Sequence, residues 1–511
     1  MVYTIVLMLL VGEYASAQHV LYSPYIDDPF EVIGKSDNYY WIIRHETRKY
    51  GKHSPPADLQ HFEIYNSRMV MVNSSDPLVI PDNIVKQYFI SATDYLDQLV
   101  IYASKGHDLL YLNRYAPDGR LIAGKHMVLD LPFNEEGNSF IMARCEDKSK
   151  ILILCFEGAP GEGIKLDAYL FDTNWKLLSK NVYKHPYITQ PLIQDDLISF
   201  PIEYYTNNSV KLANTGEWLM ATPSRTNNNF LLFHFKGLDS AFIYREIQLP
   251  GASSWEDVAL SVNNEKDEAF AGIVSVFRYQ TLKNVQVVHY SLTNHQLDFD
   301  SSYRFNTLMA YRIMNENLIH ESFIMVPGTG FMLLKEYGRP FESDFFDNNQ
   351  YINPGGLQSV FAQNSISNNE SALFMNRDGY TRYSRLSGPR AVYNRGDLSL
   401  FYFPANAKDS CWSGIMDKEQ TTEFNLPYLS YLVIPAKKRI FLLYNSLFRN
   451  DDQFSNSTVL DYKGNLLTDE GLIYWKLTNT LNFQQSRQIT DDEVAIPYDN
   501  YRRKGFAIVR F

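Results

Sequence analysis

The stretch LDQLVIYASKGHDLLYLNRYAPDGRLIAGKHMVLDLP, residues 96–132, reads as three short strands in succession. Leu99-Val100-Ile101-Tyr102-Ala103 is a continuous apolar run, and Lys105-Gly106-His107 breaks it. Leu109 to Tyr115 follows, then Pro117-Asp118-Gly119 turns the chain into Leu121 to Leu129. Short runs of β-branched, aromatic and aliphatic residues bounded by turn residues are the pattern of an antiparallel meander.

Working outward, the unit recurs. A strand ends on a large apolar residue, a polar turn follows, then an apolar pair. This register reads Tyr65-Asn-Ser-Arg-Met-Val, Tyr115-Ala-Pro-Asp-Gly-Arg-Leu-Ile and Phe171-Asp-Thr-Asn-Trp-Lys-Leu-Leu. It returns at Phe235-Lys-Gly-Leu-Asp-Ser-Ala-Phe, Tyr290-Ser-Leu-Thr-Asn-His-Gln-Leu and Leu460-Asp-Tyr-Lys-Gly-Asn-Leu-Leu. A second register is a dense apolar strand after a polar turn. Its copies are Tyr40 to Ile43, Leu99 to Ala103, Ile151 to Phe156, Trp218 to Ala221, Ala271 to Phe277, Phe331 to Leu334, Ile440 to Tyr444 and Val494 to Tyr498. A strand apolar on both faces needs neighbours above and below it. Small sheets stacked face to face around an axis provide them, which is a β-propeller. Solenoid repeats are usually shorter.

The chain is therefore expected to be all-β: a β-propeller of four-stranded antiparallel blades, eight in preference to seven. The units fall at about 30–77, 88–131, 138–185, 209–250 and 257–305, then a sixth from about 320, a seventh at 428–476 and a short eighth at 482–511. The eighth lacks one strand. Residues 19–25 have no unit of their own, so they are expected to supply that strand and close the ring with both termini, which removes the edge-strand hazard. The sixth unit is interrupted. Its strands are Phe323 to Pro327, Phe331 to Tyr337, Asp397 to Phe403 and Cys411 to Lys418, with an insertion at 338–396 rich in Asn, Asp, Ser, Gly and aromatics. A loop of that length inside a compact fold is functional or disordered.

The run Gly328-Thr-Gly-Phe-Met-Leu-Leu-Lys-Glu-Tyr337 resembles a strand of uncharacterised secreted propellers from Bacteroidetes-type bacteria. Asp397-Leu-Ser-Leu with Cys411-Trp412 and Asp417-Lys-Glu-Gln420 is similar to the segment that follows there, and Arg439-Ile-Phe-Leu-Leu-Tyr-Asn445 with Asn450 to the next strand. The resemblance covers about residues 320–450. It implies the propeller fold and an exported location, and no activity.

Composition narrows the partners. Length alone would allow about three domains, but the repeats make residues 18–511 one propeller domain. The net charge of -11 argues against nucleic acid, which needs a basic face. Thr4 to Val11 is apolar and ends at Ala15-Ser16-Ala17, so residues 1–17 read as a signal peptide cleaved after Ala17. No Lys or Arg precedes the run, and Glu13 sits close to it. The run is too short to span a bilayer, and no later stretch is long enough, so no membrane span is expected. Asn73, Asn207, Asn369 and Asn456 stand in glycosylation sequons. Three cysteines, Cys145, Cys155 and Cys411, make no disulfide framework and read as small buried hydrophobes.

No catalytic motif is present. The nucleophile elbow, zinc helix, phosphate loop and dinucleotide glycine fingerprint are all missing. His45, His53 and His61 share a spacing of eight but need not converge, and Asp118-Gly119 and Asp378-Gly379 are turns without the alternating oxygens of a calcium loop. No metal or cofactor is expected. Carboxylate pairs at Asp27-Asp28, Glu135-Glu136, Asp195-Asp196 and Glu256-Asp257 are assigned to the connections between units. Those connections share one face of a propeller with the 338–396 insertion. That insertion carries Arg339, Glu342, Asp344, Phe345, Phe346, Asp347, Tyr351, Asp378, Tyr380, Arg382 and Tyr383, the composition of a recognition surface. The candidate binding residues are Arg339, Asp344, Asp347, Tyr380 and Arg382 with Glu256 and Asp257. The reading is an exported, non-catalytic binding or scaffold module for an unknown protein or glycan. The alternative is a carbohydrate-active hydrolase or lyase using carboxylates of the same face.

Overall fold

The computed structural model describes residues 19–510 apart from 27–28, 50–55, 76–77, 80–83, 105, 133–138, 158–164, 185–198, 202–208, 225–228, 250–253, 278–279, 305–316, 327–329, 339–392, 396–397, 406–410, 417–419, 423–430, 436–438, 448–452, 474–479, 484–485, 491 and 501–502. Eight four-stranded antiparallel blades form the ring of a β-propeller. From the axis outward, blade 1 is Phe30–Ser36, Tyr39–Lys49, Pro56–Asn66 and Met71–Ser74. Blade 2 is Ile84–Ser91, Leu96–Ser104, His107–Tyr115 and Leu121–Pro132, so the quoted stretch is its outer three strands. Blade 3 is Ser139–Arg144, Lys150–Glu157, Lys165–Asp172 and Leu177–Lys184. Blade 4 is Val210–Leu212, Trp218–Pro223, Phe230–Phe235 and Phe242–Ile247. Blade 5 is Ser254–Asn263, Glu268–Phe277, Gln280–Ser291 and Leu297–Arg304. Blade 6 is Asn317–Val326, Gly330–Gly338, Leu398–Pro404 and Trp412–Met416, which places the insertion between its second and third strands as expected. Blade 7 is Tyr431–Pro435, Arg439–Leu447, Gln453–Asp461 and Leu466–Ile473.

Blade 8 closes the ring as the sequence predicts. His19–Tyr22 pairs with Arg503–Arg510 as the outer strand, with Leu21 opposite Ile508. Glu493–Asn500 is the second strand. The inner strand is split into Thr480–Leu481 and Arg487–Thr490, where a single strand is expected.

The core lies in the seams between blades. Second and third strands are buried on both faces, as in Lys150–Glu157 and Phe230–Phe235. One face of each blade packs on the previous blade and the other on the next, so the apolar clusters each join two neighbours. In the blade 3–4 seam Trp218 stacks on Phe235 with centroids 3.7 Å apart. Burying one large apolar side chain contributes roughly 1.5–3 kcal/mol, and every seam buries several.

The outer hairpin turns explain the first sequence register. Asp172 Oδ1 accepts the backbone N–H groups of Asn174 and Lys176 at 2.8 and 2.9 Å, and Asp461 Oδ1 accepts those of Lys463 and Asn465 at 2.8 Å each. Asn66 Oδ1 does the same for Arg68 and Val70. The residue three places after the turn's first, or four in blade 5, lies in the left-handed region: Met69, Gly119, Trp175, Gly464 and, in blade 5, His295. This residue leans on the preceding blade. Gly464 does so because a Cβ there would meet the Trp412 ring at 2.7 Å. The outer strand of the preceding blade answers with a side-chain donor to a backbone oxygen of the same turn. Asn181 Nδ2 donates to Gly237 O at 2.9 Å, Trp412 Nε1 donates to Tyr462 O at 2.9 Å, and Asn73 Nδ2 donates to Asp118 O.

One expectation is corrected, and one finding is added. Cys145 and Cys155 are buried free thiols, but Cys411 is exposed, because it precedes an outer strand rather than filling a seam. The connection between blades 3 and 4 is also more than a loop. Its residues Ser199–Pro201 pair in parallel with the inner strand of blade 2, Ser199 opposite Gln87, and so lie on the axial side of that blade.

Candidate functional site

Inter-blade connections and links from second to third strand leave the blades at one end, the loop face. Links from first to second and from third to outer strand lie at the other, the turn face. The proposed site belongs to the loop face. Arg339, Asp344, Asp347, Tyr380 and Arg382 lie outside the described residues, as do Asp27-Asp28, Glu135-Glu136 and Asp195-Asp196. Glu256 and Asp257 are placed differently from expectation. They are in the inner strand of blade 5, not in a connection. A bulge between Trp255 and Asp257 interrupts the pairing there, which is why the pair looked like loop sequence. Asp257 is half-buried, and its Oδ1 accepts the N–H of Val258 at 2.8 Å.

The histidines do not converge either. His45 stands on the second strand of blade 1, His61 on the third opposite Arg44, and His53 is outside the described residues. His61 Nε2 lies 3.0 Å from Glu46 Oε2, and His45 Nε2 lies 3.8 Å from Glu31 Oε1. Among the described residues no three His, Cys, Asp or Glu groups gather as a metal site.

The described part of the loop face carries an acid-rich set at the blade 2–3 seam. Lys165 Nζ lies 2.7 Å from Glu157 Oε1 and 3.2 Å from Asp167 Oδ1, and Asp108 is buried nearby. Burial and the charges of Glu157, Asp167 and Asp108 push the Cys155 thiol far up, so Cys155 is not a thiolate nucleophile.

The turn face is built of polar locks between blades. At the blade 2–3 seam Asp97, 1% exposed, takes Arg114 bidentately at 2.6 and 2.7 Å and the indole N–H of Trp175 at 2.8 Å. Arg114 Nη2 also donates to Thr173 O at 2.9 Å, and its guanidinium lies 3.9 Å over the Tyr95 ring. At the blade 4–5 seam buried His234 lies between Tyr290 Oη, 3.1 Å from Nδ1, and Glu217 Oε2, 3.2 Å from Nε2. Lys236 Nζ donates to Glu217 Oε1 at 3.1 Å and to His295 Nε2 at 3.2 Å. Burial holds Tyr290 up at about 12, so it stays a neutral phenol. At the closure, Glu493 takes Lys35, Arg510 and the Tyr40 hydroxyl at 2.8, 2.7 and 3.0 Å. A buried chain of amides crosses blade 2: Gln87 donates to Gln60 of blade 1, Gln98 to Gln87, and Asn113 to Gln98. These groups are committed to one another. They hold blades in register.

These locks escape motif reading because their members sit on different blades. Asp97 and Trp175 are far apart in sequence, and only the ring joins them. The one available signal was a large residue in the left-handed turn position.

No protein-family model matches the chain, and no curated protein sequence matches it. Among solved structures, the chain is similar to the WD40 domain of SCAP from fission yeast, at 8% identity and a TM-score of 0.39, covering 97% of this chain and 98% of that one. It is similar to the Dos1 propeller at 8% identity and 0.32, covering 83% and 91%. It is similar to an oligogalacturonate lyase in complex with manganese at 7% and 0.35, covering 97% and 96%. At these scores the likeness adds nothing to the ring traced strand by strand, and no activity is taken from it.

Proposed function

We propose that this chain is an exported, non-catalytic binding or scaffold module whose ligand, a protein or a glycan, engages the loop face under the 338–396 insertion. One observation carries the reading: link length varies on one face only. On the turn face the links are short in every blade, from Ser36 to Tyr39 in blade 1 to Pro404 to Trp412 in blade 6. On the loop face they run from Ser104 to His107 in blade 2 up to Gly338 to Leu398 in blade 6 and Lys184 to Val210 between blades 3 and 4. Variable loops on a rigid scaffold are where binding residues concentrate. The exported location rests on residues 1–17 and on the resemblance of about 320–450 to secreted bacterial propellers.

The test is a glycan and protein-partner screen of residues 18–511. A second chain in which a short Gly-Ser link replaces 339–392 is screened beside it. The proposal expects a partner retained by the first and lost by the second. Equal binding by both overturns the site. Mass spectrometry of protein recovered outside the cell, with its N-terminus at Gln18, tests export.

A further inference from the structure

Half-buried cations elsewhere in the described seams have a partner, an anion in several of them and a carbonyl oxygen for Lys150. Lys35 meets Glu493 at 2.8 Å, Arg114 meets Asp97 at 2.6 Å, Lys236 meets Glu217 at 3.1 Å and Arg487 meets Glu31 at 3.1 Å. Lys211 departs from this pattern. It is the middle residue of Val210–Leu212, the inner strand of blade 4, which borders the axis. Val210 and Leu212 pack into the seam with blade 3. Strand alternation therefore turns Lys211 the other way, toward blade 5, beside Leu219 of the blade 4–5 seam.

Other blades fill the same place with an apolar group. The N–H groups of Ala92, Cys145 and Ala213 each close the first turn of their blade. Two residues before them stand Ile90 in blade 2, Ala143 in blade 3 and Lys211 in blade 4. Ile90 and Ala143 belong to apolar packing at their seams. Blade 4 puts an ammonium there. Lys211 keeps part of its surface open to solvent, so it is reachable, and burial alone holds its pKa down at about 8. Among the described residues it has no side-chain hydrogen-bond or ion-pair partner. A desolvated ammonium without a counter-charge is costly, and a small anion beside it removes that cost.

We propose that Lys211 anchors a binding site on the axial wall between blades 4 and 5 for a small organic anion, recognised through a carboxylate or phosphate group. The site is separate from the loop-face surface proposed above.

The test uses pyridoxal 5′-phosphate as probe, on the full mature chain. The Lys211 amine adds to the aldehyde carbon and water leaves, giving an imine, and borohydride then reduces the C=N bond. Peptide mass spectrometry reads the extent at every lysine over time. Lys211 is expected to be modified about tenfold faster than exposed lysines, since far more of it is neutral near pH 8 than of an ordinary lysine. Inorganic phosphate or acetate is expected to slow that reaction and no other. Protection by phosphate alone identifies a phosphoryl ligand, by acetate alone a carboxylate ligand, and by both a general anion site. Modification at the exposed-lysine rate, no modification, or protection by neither anion overturns the proposal. Isothermal titration of the protecting anion into Lys211→Arg and Lys211→Met is the second measurement. Binding kept by Arg and lost by Met is expected. The labelling result stands on the unsubstituted chain even where Met prevents folding.

Discussion

The blade 2–3 and blade 4–5 seams use one backbone device with two chemistries. In both, the left-handed residue of the next blade's outer turn leans back on its neighbour: Trp175 onto Asp97, His295 onto Lys236. In the first lock the cation does not titrate. Asp97 is buried, and Arg114, raised further by its bond to Asp97, does not titrate in any ordinary range. The second lock titrates. His234 and Lys236 hold Glu217 below the usual carboxylate range, while burial, then Lys236 and His234, hold His295 below its ordinary 6.5. Glu217 is also 25% exposed, so its pairs are screened by solvent. The same turn position thus carries a non-titrating indole in one seam and a titrating imidazole in the other.

The strongest way to break this comparison is Asp97→Ala. It strands the Arg114 cation and the Trp175 N–H, and removing one partner of a buried pair costs about 3–5 kcal/mol. Urea unfolding should show that loss, and a loss under about 1 kcal/mol would mean apolar packing alone holds the seam. Glu217→Gln should cost less, about 1 kcal/mol, because the site is partly open. A cost equal to that of Asp97→Ala would erase the distinction between the two locks.

Acid should separate the seams. Between the ordinary histidine value of 6.5 and the lower native value, the unfolded chain takes up a proton that native His295 resists, so falling pH costs stability there. The Glu217 contribution is present above 4.5 and is lost as pH falls through its depressed value. Hydrogen exchange should therefore quicken at Phe230–Phe235 and Gln280–Ser291 between pH 7 and pH 5, and stay unchanged at Leu96–Ser104. The smallest expected effect is that of His295→Gly. It relieves a left-handed non-glycine residue and removes the titrating ring, so stability near pH 8 should change by under about 1 kcal/mol. The variant should lose part of the acid sensitivity of the blade 4–5 seam. Retention of the full sensitivity would mean that the His295 ring is not its source.

Much of the ring was legible in order. Aromatic-turn-apolar-pair signals such as Phe171 to Leu178 mark real hairpins because turn chemistry and strand alternation are local. The short eighth unit and the orphan strand at 19–22 revealed the closure, since a missing strand must be supplied from somewhere. Two readings failed: Asp257 stands in a bulged inner strand, and Cys411 stays exposed ahead of an outer strand. The pairing of Ser199–Pro201 with blade 2 had no signal in the sequence.

The candidate site divides the same way. The sequence by itself determined the repeat, the hairpin turns, the closing strand and the position of the long insertion, and favoured eight blades over seven, because each depends on periodicity and turn residues within a few tens of positions. Only the tertiary structure decided that Asp97 meets Trp175, that Glu217 and His234 share a seam with His295, and that Lys211 takes a place filled by Ile90 and Ala143 elsewhere. Those outcomes depend on the angle and spacing between neighbouring blades. No local pattern encodes them, because the interacting residues become neighbours only when the ring closes.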